Sequence, residues 1–318
     1  MGEMRWDPVR KEWVATATVR MDRPQMPKDS CPFCPGSGSV PAQYDVHLYP
    51  NDFPTFSTPP PPQDLIGDDF YRTKESFGYC DVVLYHPDHN TVFSDLSDTH
   101  LRKLTDLWTA RYLELCADEH VKYVYIFENN GEAIGVTMPH PHGQIYSFPM
   151  IPPIIEQEMA NSAEYFVENG RCLHCDIVKR ELEENARIIF EDDVFVAFVP
   201  FWARWPFEIH MYTKKHYAHI GQFGEAEKNA LGPAIRRVVK TYNAYFGFPP
   251  GYMMAMHQTP VGLPDERSYH FHVEFYPANR SRSKLKYRAG CETGAGTFIN
   301  DSQPEEKAAE LRKFVEGE

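Results

Sequence analysis

The chain repeats one ordered set of parts twice. A C-x-x-C pair opens each round, Cys31/Cys34 and then Cys172/Cys175. Strand-like runs follow, then a histidine just before a short loop, His89 in HPDHN and His216 in TKKHYAH. A long amphipathic helix comes next, and a β-rich run carrying His-x-His closes the round, at His140/His142 and His270/His272. The lone histidines lie 127 residues apart (89 to 216) and the His pairs 130 (140 to 270). The Cys pairs lie 141 apart (31 to 172), and the Pro-rich insertion STPPPPQDLIG at 57–67 accounts for the excess. A run of that composition is a surface loop. This order points to a duplicated unit in which each half supplies strands and one long helix.

Local patterns agree. Leu101, Leu104, Trp108, Tyr112 and Leu115 recur at helical spacing behind Ser97 or Asp98, either of which can cap. Leu231, Ile235, Val238, Val239 and Tyr242 do the same in the second half, where Gly247 can end the helix. Residues 154–169 read as a linking helix and 304–314 as a C-terminal surface helix. The runs at 121–129, 186–201, 207–213 and 269–277 are strand-like, rich in β-branched and aromatic residues. Short connections favour antiparallel pairing, so the class is α+β, with an N-terminal half at 1–165 and a C-terminal half at 166–318.

Lys+Arg 32 against Asp+Glu 45 gives a net charge of −13, which argues against nucleic acid as a partner, since that affinity rests on basic groups neutralising phosphates. No stretch approaches the roughly 20 apolar residues of a spanning helix, and MGEMRWDPVRKEW has no apolar signal core. A soluble cytoplasmic protein with no membrane partner is expected. Seven cysteines, an odd number, do not make a disulfide framework. In a reducing compartment the C-x-x-C pairs point to metal first and redox chemistry second.

MPHPHGQIYSF at 138–148 carries the most chemistry. On an extended strand, His140 and His142 point the same way, about 7 Å apart. Pro139 and Pro141 hold the backbone extended. Gly143 would let a ligand approach the main chain, and Gln144 adds an uncharged donor. A neutral imidazole in this setting is suited to attack on phosphorus near pH 7.

His-Pro-His-Gly-Gln resembles the nucleophile motif of the galactose-1-phosphate uridylyltransferases, the transferase branch of the histidine triad superfamily. The resemblance covers nearly the whole chain: Arg5, Asp7, Pro8 and Trp13, then CPFC, NDFP at 51–54, PDH at 87–89 and FENNG at 127–131, PFWARWPFE at 200–208, FYP at 275–277 and the segment around Glu292. It implies two triad-like halves forming an extended, mainly antiparallel sheet with helices packed on it. It also implies a double displacement in which His142 takes UMP from UDP-glucose and passes it to galactose 1-phosphate. Gln144 would hold a phosphoryl oxygen. An amide there cannot readily protonate a leaving group or activate water, so transfer is favoured over hydrolysis. Arg20, Arg23, Asn51, Asp52 and Asn129 match nucleotide- and phosphate-contacting positions, with Phe33 beside the base. Lys286 and Glu292 match residues that reach the hexose phosphate across a homodimer. Phe298 departs from the polar residue common there, which bears on the sugar accepted.

The resemblance further implies zinc at Cys31, Cys34, His89 and His140, a closed Cys₂His₂ set of structural type. Carried through the repeat, Cys172, Cys175, His216 and His270 form a second zinc set, with His219 as a substitute for His216 and His174 a loop residue. Glu158, His257 and His272 match a further metal site, often iron, with Glu274 where the family has a histidine. His270 could replace Glu274 if it holds no zinc, and zinc, iron or manganese all suit such a set. Two other functions share these residues: an ADP-sugar phosphorylase or adenylyl-preferring transferase, and a non-catalytic zinc-stabilised nucleotide-binding protein.

Overall fold

The computed structural model describes residues 2–22, 31–263 and 265–315 of the chain. Two short strands, β1 (Gly2–Asp7) and β2 (Glu12–Ala17), form a hairpin, and the main sheet begins with β3 (His47–Pro50). Strand β4 (Thr73–Glu75) returns to the hairpin to make a small three-stranded sheet, and β5 (Tyr79–Leu84) joins the main one. Helix α1 (Asp98–Cys116) follows, then β6 (Tyr123–Asn130) and β7 (His142–Phe148). Helices α2 (Pro153–Asn169) and α3 (Leu173–Glu184) lead to β8 (Ile188–Glu191), β9 (Phe195–Phe198) and β10 (Ile209–Thr213). Helix α4 (Glu225–Phe246), β11 (Tyr252–His257), β12 (His272–Pro277), the hairpin β13 (Asn279–Ser281) and β14 (Lys284–Leu285), and helix α5 (Pro304–Arg312) complete the chain.

The main sheet has nine strands in the order β3-β5-β7-β6-β11-β12-β10-β9-β8, with every neighbouring pair antiparallel. Reading outward from its centre gives β6-β7-β5-β3 on one side and β11-β12-β10-β9 on the other. The two sides match strand for strand, with β8 added at one edge. Their seam is β6–β11, where Ile126 pairs with Met256 and Asn130 with Tyr252. One sheet therefore runs through both halves.

Helices α1 and α4 pack together, and Leu101, Trp108, Tyr112, Leu231, Ile235 and Tyr242 share one buried core with Val83, Ile126, Met254 and Val273 from the strands. Ser97 caps α1, its hydroxyl accepting from the His100 amide at 3.3 Å. Gly247 closes α4 in the left-handed conformation that glycine adopts without strain.

Two expectations need correction. The run 186–201 is two strands, because the Asp192 carboxylate accepts from the amides of Val194 and Phe195 and turns the chain between β8 and β9. His174 lies on α3 and is buried, bonded to Ser162 Oγ at 3.1 Å and Tyr212 OH at 3.2 Å. No helix among the described residues is long and apolar enough to cross a membrane.

Candidate active site

His142 is the first residue of β7, paired with Leu84 on β5. Its Nδ1 lies 2.7 Å from the main-chain carbonyl of His140. A carbonyl only accepts, so Nδ1 holds the proton and Nε2 keeps a lone pair. The rings of His140 and His142 both flank Phe33, with centroids 6.0 and 5.7 Å from it. They share a side as the spacing predicts, although His140 lies just ahead of the strand.

Two clefts meet at His142 and Gln144. One is lined by Phe33, Tyr49, Asn51, Asp52, Val82 and Met138, and the other by Arg20, Phe127, Asn129, Gly135, Thr137 and Tyr146. Six residues singled out in the sequence therefore converge beside His142: Arg20, Phe33, Asn51, Asp52, Asn129 and Gln144. Arg20 donates to Thr55 Oγ1 at 3.1 Å and Tyr146 OH at 3.3 Å. Asn51 accepts from the Phe53 amide, and Asp52 is held by Tyr49 OH at 2.8 and 2.9 Å. Arg23 lies outside the described residues. Lys286 and Glu292 line neither cleft and bond to each other at 3.0 Å. A wider cleft, about 570 Å³, runs along α3 between Arg171 and Trp202 and contains none of these groups.

The role expected of Gly143 is different in the structure. A Cβ there would come within 2.1 Å of the Tyr85 hydroxyl, on the side of the buried core. Glycine is required by Tyr85 behind the strand rather than by a ligand in front of it. That hydroxyl donates to Glu128 at 3.1 Å, and Tyr252 OH donates to the same carboxylate at 2.9 Å. Burial raises Glu128 to about 7.

Three clusters bring potential metal ligands within 4.8 Å of one another: Cys31, Cys34, His89 and His140; Cys172, Cys175, His216 and His270; and Glu158, His257, His272 and Glu274. A tetrahedron with metal–sulfur near 2.3 Å and metal–nitrogen near 2.0–2.1 Å has S···N edges of about 3.6 Å. In the first cluster the S···Nδ1 separations are 3.6, 3.8 and 3.8 Å. In the second, Cys175 lies 3.4 Å from His216 Nδ1 and 3.5 Å from His270 Nδ1. His140 gives its Nε2 proton to the His86 carbonyl at 2.8 Å, so Nδ1 faces the thiols with its lone pair. Burial lowers His140 to about 4, which keeps the ring neutral. Burial also raises Cys34 to about 11, with Cys31 adding to the shift, so a nearby cation is needed to ionise both sulfurs. His216 belongs to the second cluster; His219 instead stacks on Tyr112 and faces Glu266 at 3.6 Å, so no substitute ligand is needed.

The third cluster uses Glu274, since His270 is committed to Cys175. His257 sits between Glu158 at 3.0 Å and Glu274 at 3.4 Å. Burial opposes its charge, but the two carboxylates prevail and raise it to about 9. His272 gives Nδ1 to the His270 carbonyl at 3.0 Å, and its Nε2 faces Glu274 at 3.5 Å. The sequence reading missed His210, which pairs directly with Glu274 between β10 and β12 and lies 3.2 Å from it. Only strand register reveals that neighbour.

A family model for the galactose-1-phosphate uridyl transferase N-terminal domain matches residues 3–152, and one for the C-terminal domain matches 158–316. The chain belongs to the galactose-1-phosphate uridylyltransferase family. It is 38% identical over 315 residues to a galactose-1-phosphate uridylyltransferase of Thermotoga maritima, covering 98% of each chain. A solved uridylyltransferase structure superposes with a TM-score of 0.91 at 33% identity, again covering 98% of both chains. An ADP-glucose phosphorylase from Arabidopsis thaliana, solved with bound ADP-glucose, gives 0.77 at 25% identity and the same coverage. The uridylyltransferase family is thus the nearer match in both sequence and fold.

Proposed function

We propose that this protein exchanges UMP between UDP-glucose and galactose 1-phosphate by double displacement at His142. The observation that carries the reading is the fixed tautomer: Nδ1 is committed to the His140 carbonyl, so Nε2 is the nucleophilic nitrogen where the two clefts meet. Nε2 attacks the α-phosphorus, an N–P bond forms, and the P–O bond to glucose 1-phosphate breaks. A phosphate oxygen of galactose 1-phosphate then attacks the same phosphorus and restores the imidazole.

In this reading Phe33, Asn51 and Asp52 hold the nucleoside, and Arg20, Asn129 and Gln144 hold the phosphoryl oxygens as charge develops on them. Arg23 joins them by the family resemblance. Lys286 and Glu292, paired with each other in this chain, serve the hexose phosphate of the other subunit in a homodimer. Residues 1–165 supply the nucleophile and 166–318 the hexose-contacting tail. The two Cys₂His₂ clusters hold structural zinc; the Glu158, His257, His272 and Glu274 cluster takes zinc, iron or manganese.

The weaker likeness to an ADP-glucose phosphorylase keeps inorganic phosphate as a rival acceptor and adenine as a rival base. The test is isotope exchange between UDP-glucose and labelled glucose 1-phosphate with no galactose 1-phosphate present. Exchange with UDP-glucose that stays much weaker with ADP-glucose supports the proposal. Exchange confined to ADP-glucose, or none with either, overturns it.

A further inference from the structure

Tyr85 lies directly after β5 and is buried to 1% exposure. It holds the chain on both sides of His142. Its amide donates to the carbonyl of Pro141, the residue before the nucleophile, at 3.0 Å. Its hydroxyl lies behind Gly143, the residue after the nucleophile, in the space a Cβ would need. The ring is fixed edge-on by Phe93 and Trp108, and its own carbonyl accepts from His100 Nε2 at 2.6 Å.

The hydroxyl is held in turn by Glu128, which is 2% exposed. Phe127 and Asn129 line the cleft, and the strand alternation sends Glu128 to the opposite face, behind the site. Tyr85 OH, Tyr252 OH and Asn130 Nδ2 bond to this carboxylate at 3.1, 2.9 and 3.2 Å. Tyr252 belongs to β11, so the contact crosses the seam between the halves.

We infer that Tyr85 and Glu128 form a positioning pair for His142, clamping the peptides before and after it so that the imidazole keeps its aim at the phosphorus. The inference rests on the proposed nucleotidyl transfer. A buried carboxyl in an apolar core opposes folding unless its oxygens are used, and here they are spent on bracing the backbone of the nucleophile. Neither residue touches the clefts, so the pair acts on the rate of the chemical step and leaves nucleotide binding alone.

The test compares wild type, Y85F, E128Q and the double variant in single-turnover formation of the nucleotidyl-histidine from UDP-glucose, with KM measured in parallel. Y85F keeps the ring and E128Q the shape, and thermal unfolding checks that each is folded. The expected result is a five- to twenty-fold slower adduct in each single variant, KM within twofold of wild type, and a double variant no slower than the worse single one. Y85F within twofold of wild type, a rise in KM matching the loss of rate, or multiplying losses in the double variant would overturn the pairing. Absence of adduct in wild type would instead mark failure of the proposed reaction.

Discussion

The ring of His142 and the main-chain carbonyl of His140 are joined by a 2.7 Å hydrogen bond, and the ring of that same His140 reaches the Cys31/Cys34 sulfurs at 3.8 Å. One residue therefore fixes the tautomer of the nucleophile with its backbone and joins a metal cluster with its side chain. Anchoring the cluster anchors the acceptor.

This linkage predicts unequal effects from the two Cys₂His₂ clusters. Cys31→Ser with Cys34→Ser should remove one zinc per chain and lower kcat at least tenfold. Cys172→Ser with Cys175→Ser should also remove one zinc per chain, with a smaller effect on kcat and a lower melting temperature. Plasma emission analysis of the purified variants gives the counts. Unchanged zinc in the second variant would rule out metal at Cys172 and Cys175.

Gln144 should matter to the rate more than to binding. Loss of a donor to a developing oxyanion typically costs about 10²–10³ in kcat. Gln144→Ala is expected near the lower end, with KM for UDP-glucose within a few-fold of wild type. Steady-state kinetics decide it, and a change confined to KM would contradict the assignment.

Gly143→Ala should destabilise the fold. Its Cβ would meet the Tyr85 hydroxyl at 2.1 Å and ring carbon Cζ at 2.8 Å. Overpacking of this kind costs about 1–3 kcal/mol, visible as a lower denaturant midpoint. A midpoint equal to wild type would show that the strand moves aside freely.

Glu128 gives a pH dependence of definite sign. Burial raises its folded value from 4.5 to about 7, so folding favours the protonated carboxyl. That contribution is full below pH 4.5 and is lost as pH rises through about 7, amounting to at most about 3 kcal/mol. Between pH 5 and 8 wild type should lose stability relative to Glu128→Gln, in denaturant titrations at both pH values. Parallel changes in the two proteins would contradict the burial argument.

Features carried by local spacing were legible before the fold was seen. The Cys pairs, His89, His216 and the His-x-His runs announced the two Cys₂His₂ clusters, the family resemblance supplied the Glu158, His257, His272 and Glu274 set, and the helical periodicity of Leu101 to Leu115 and Leu231 to Tyr242 announced the two packed helices. Relations made by strand pairing were hidden. His210 meets Glu274, and Tyr252 meets Glu128, only through register, across separations of 64 and 124 residues. Gly143 was misread for the same reason, because the atom that excludes a side chain there belongs to a neighbouring strand's end. Helix α3 was legible too, since Leu173, Ile177, Val178 and Leu182 recur at helical spacing, but the Cys pair at its start drew the reading to a metal-binding loop.

The central claim is that position 142 becomes a covalent nucleotide carrier. Intact-protein mass spectrometry after a rapid quench with UDP-glucose alone tests it most directly, followed by peptide mapping. The account predicts a gain of one uridylyl group per chain, located on His142, lost on adding galactose 1-phosphate and absent from His142→Ala. A wild-type protein that turns over while its mass never changes, or an adduct on any other residue, would contradict it.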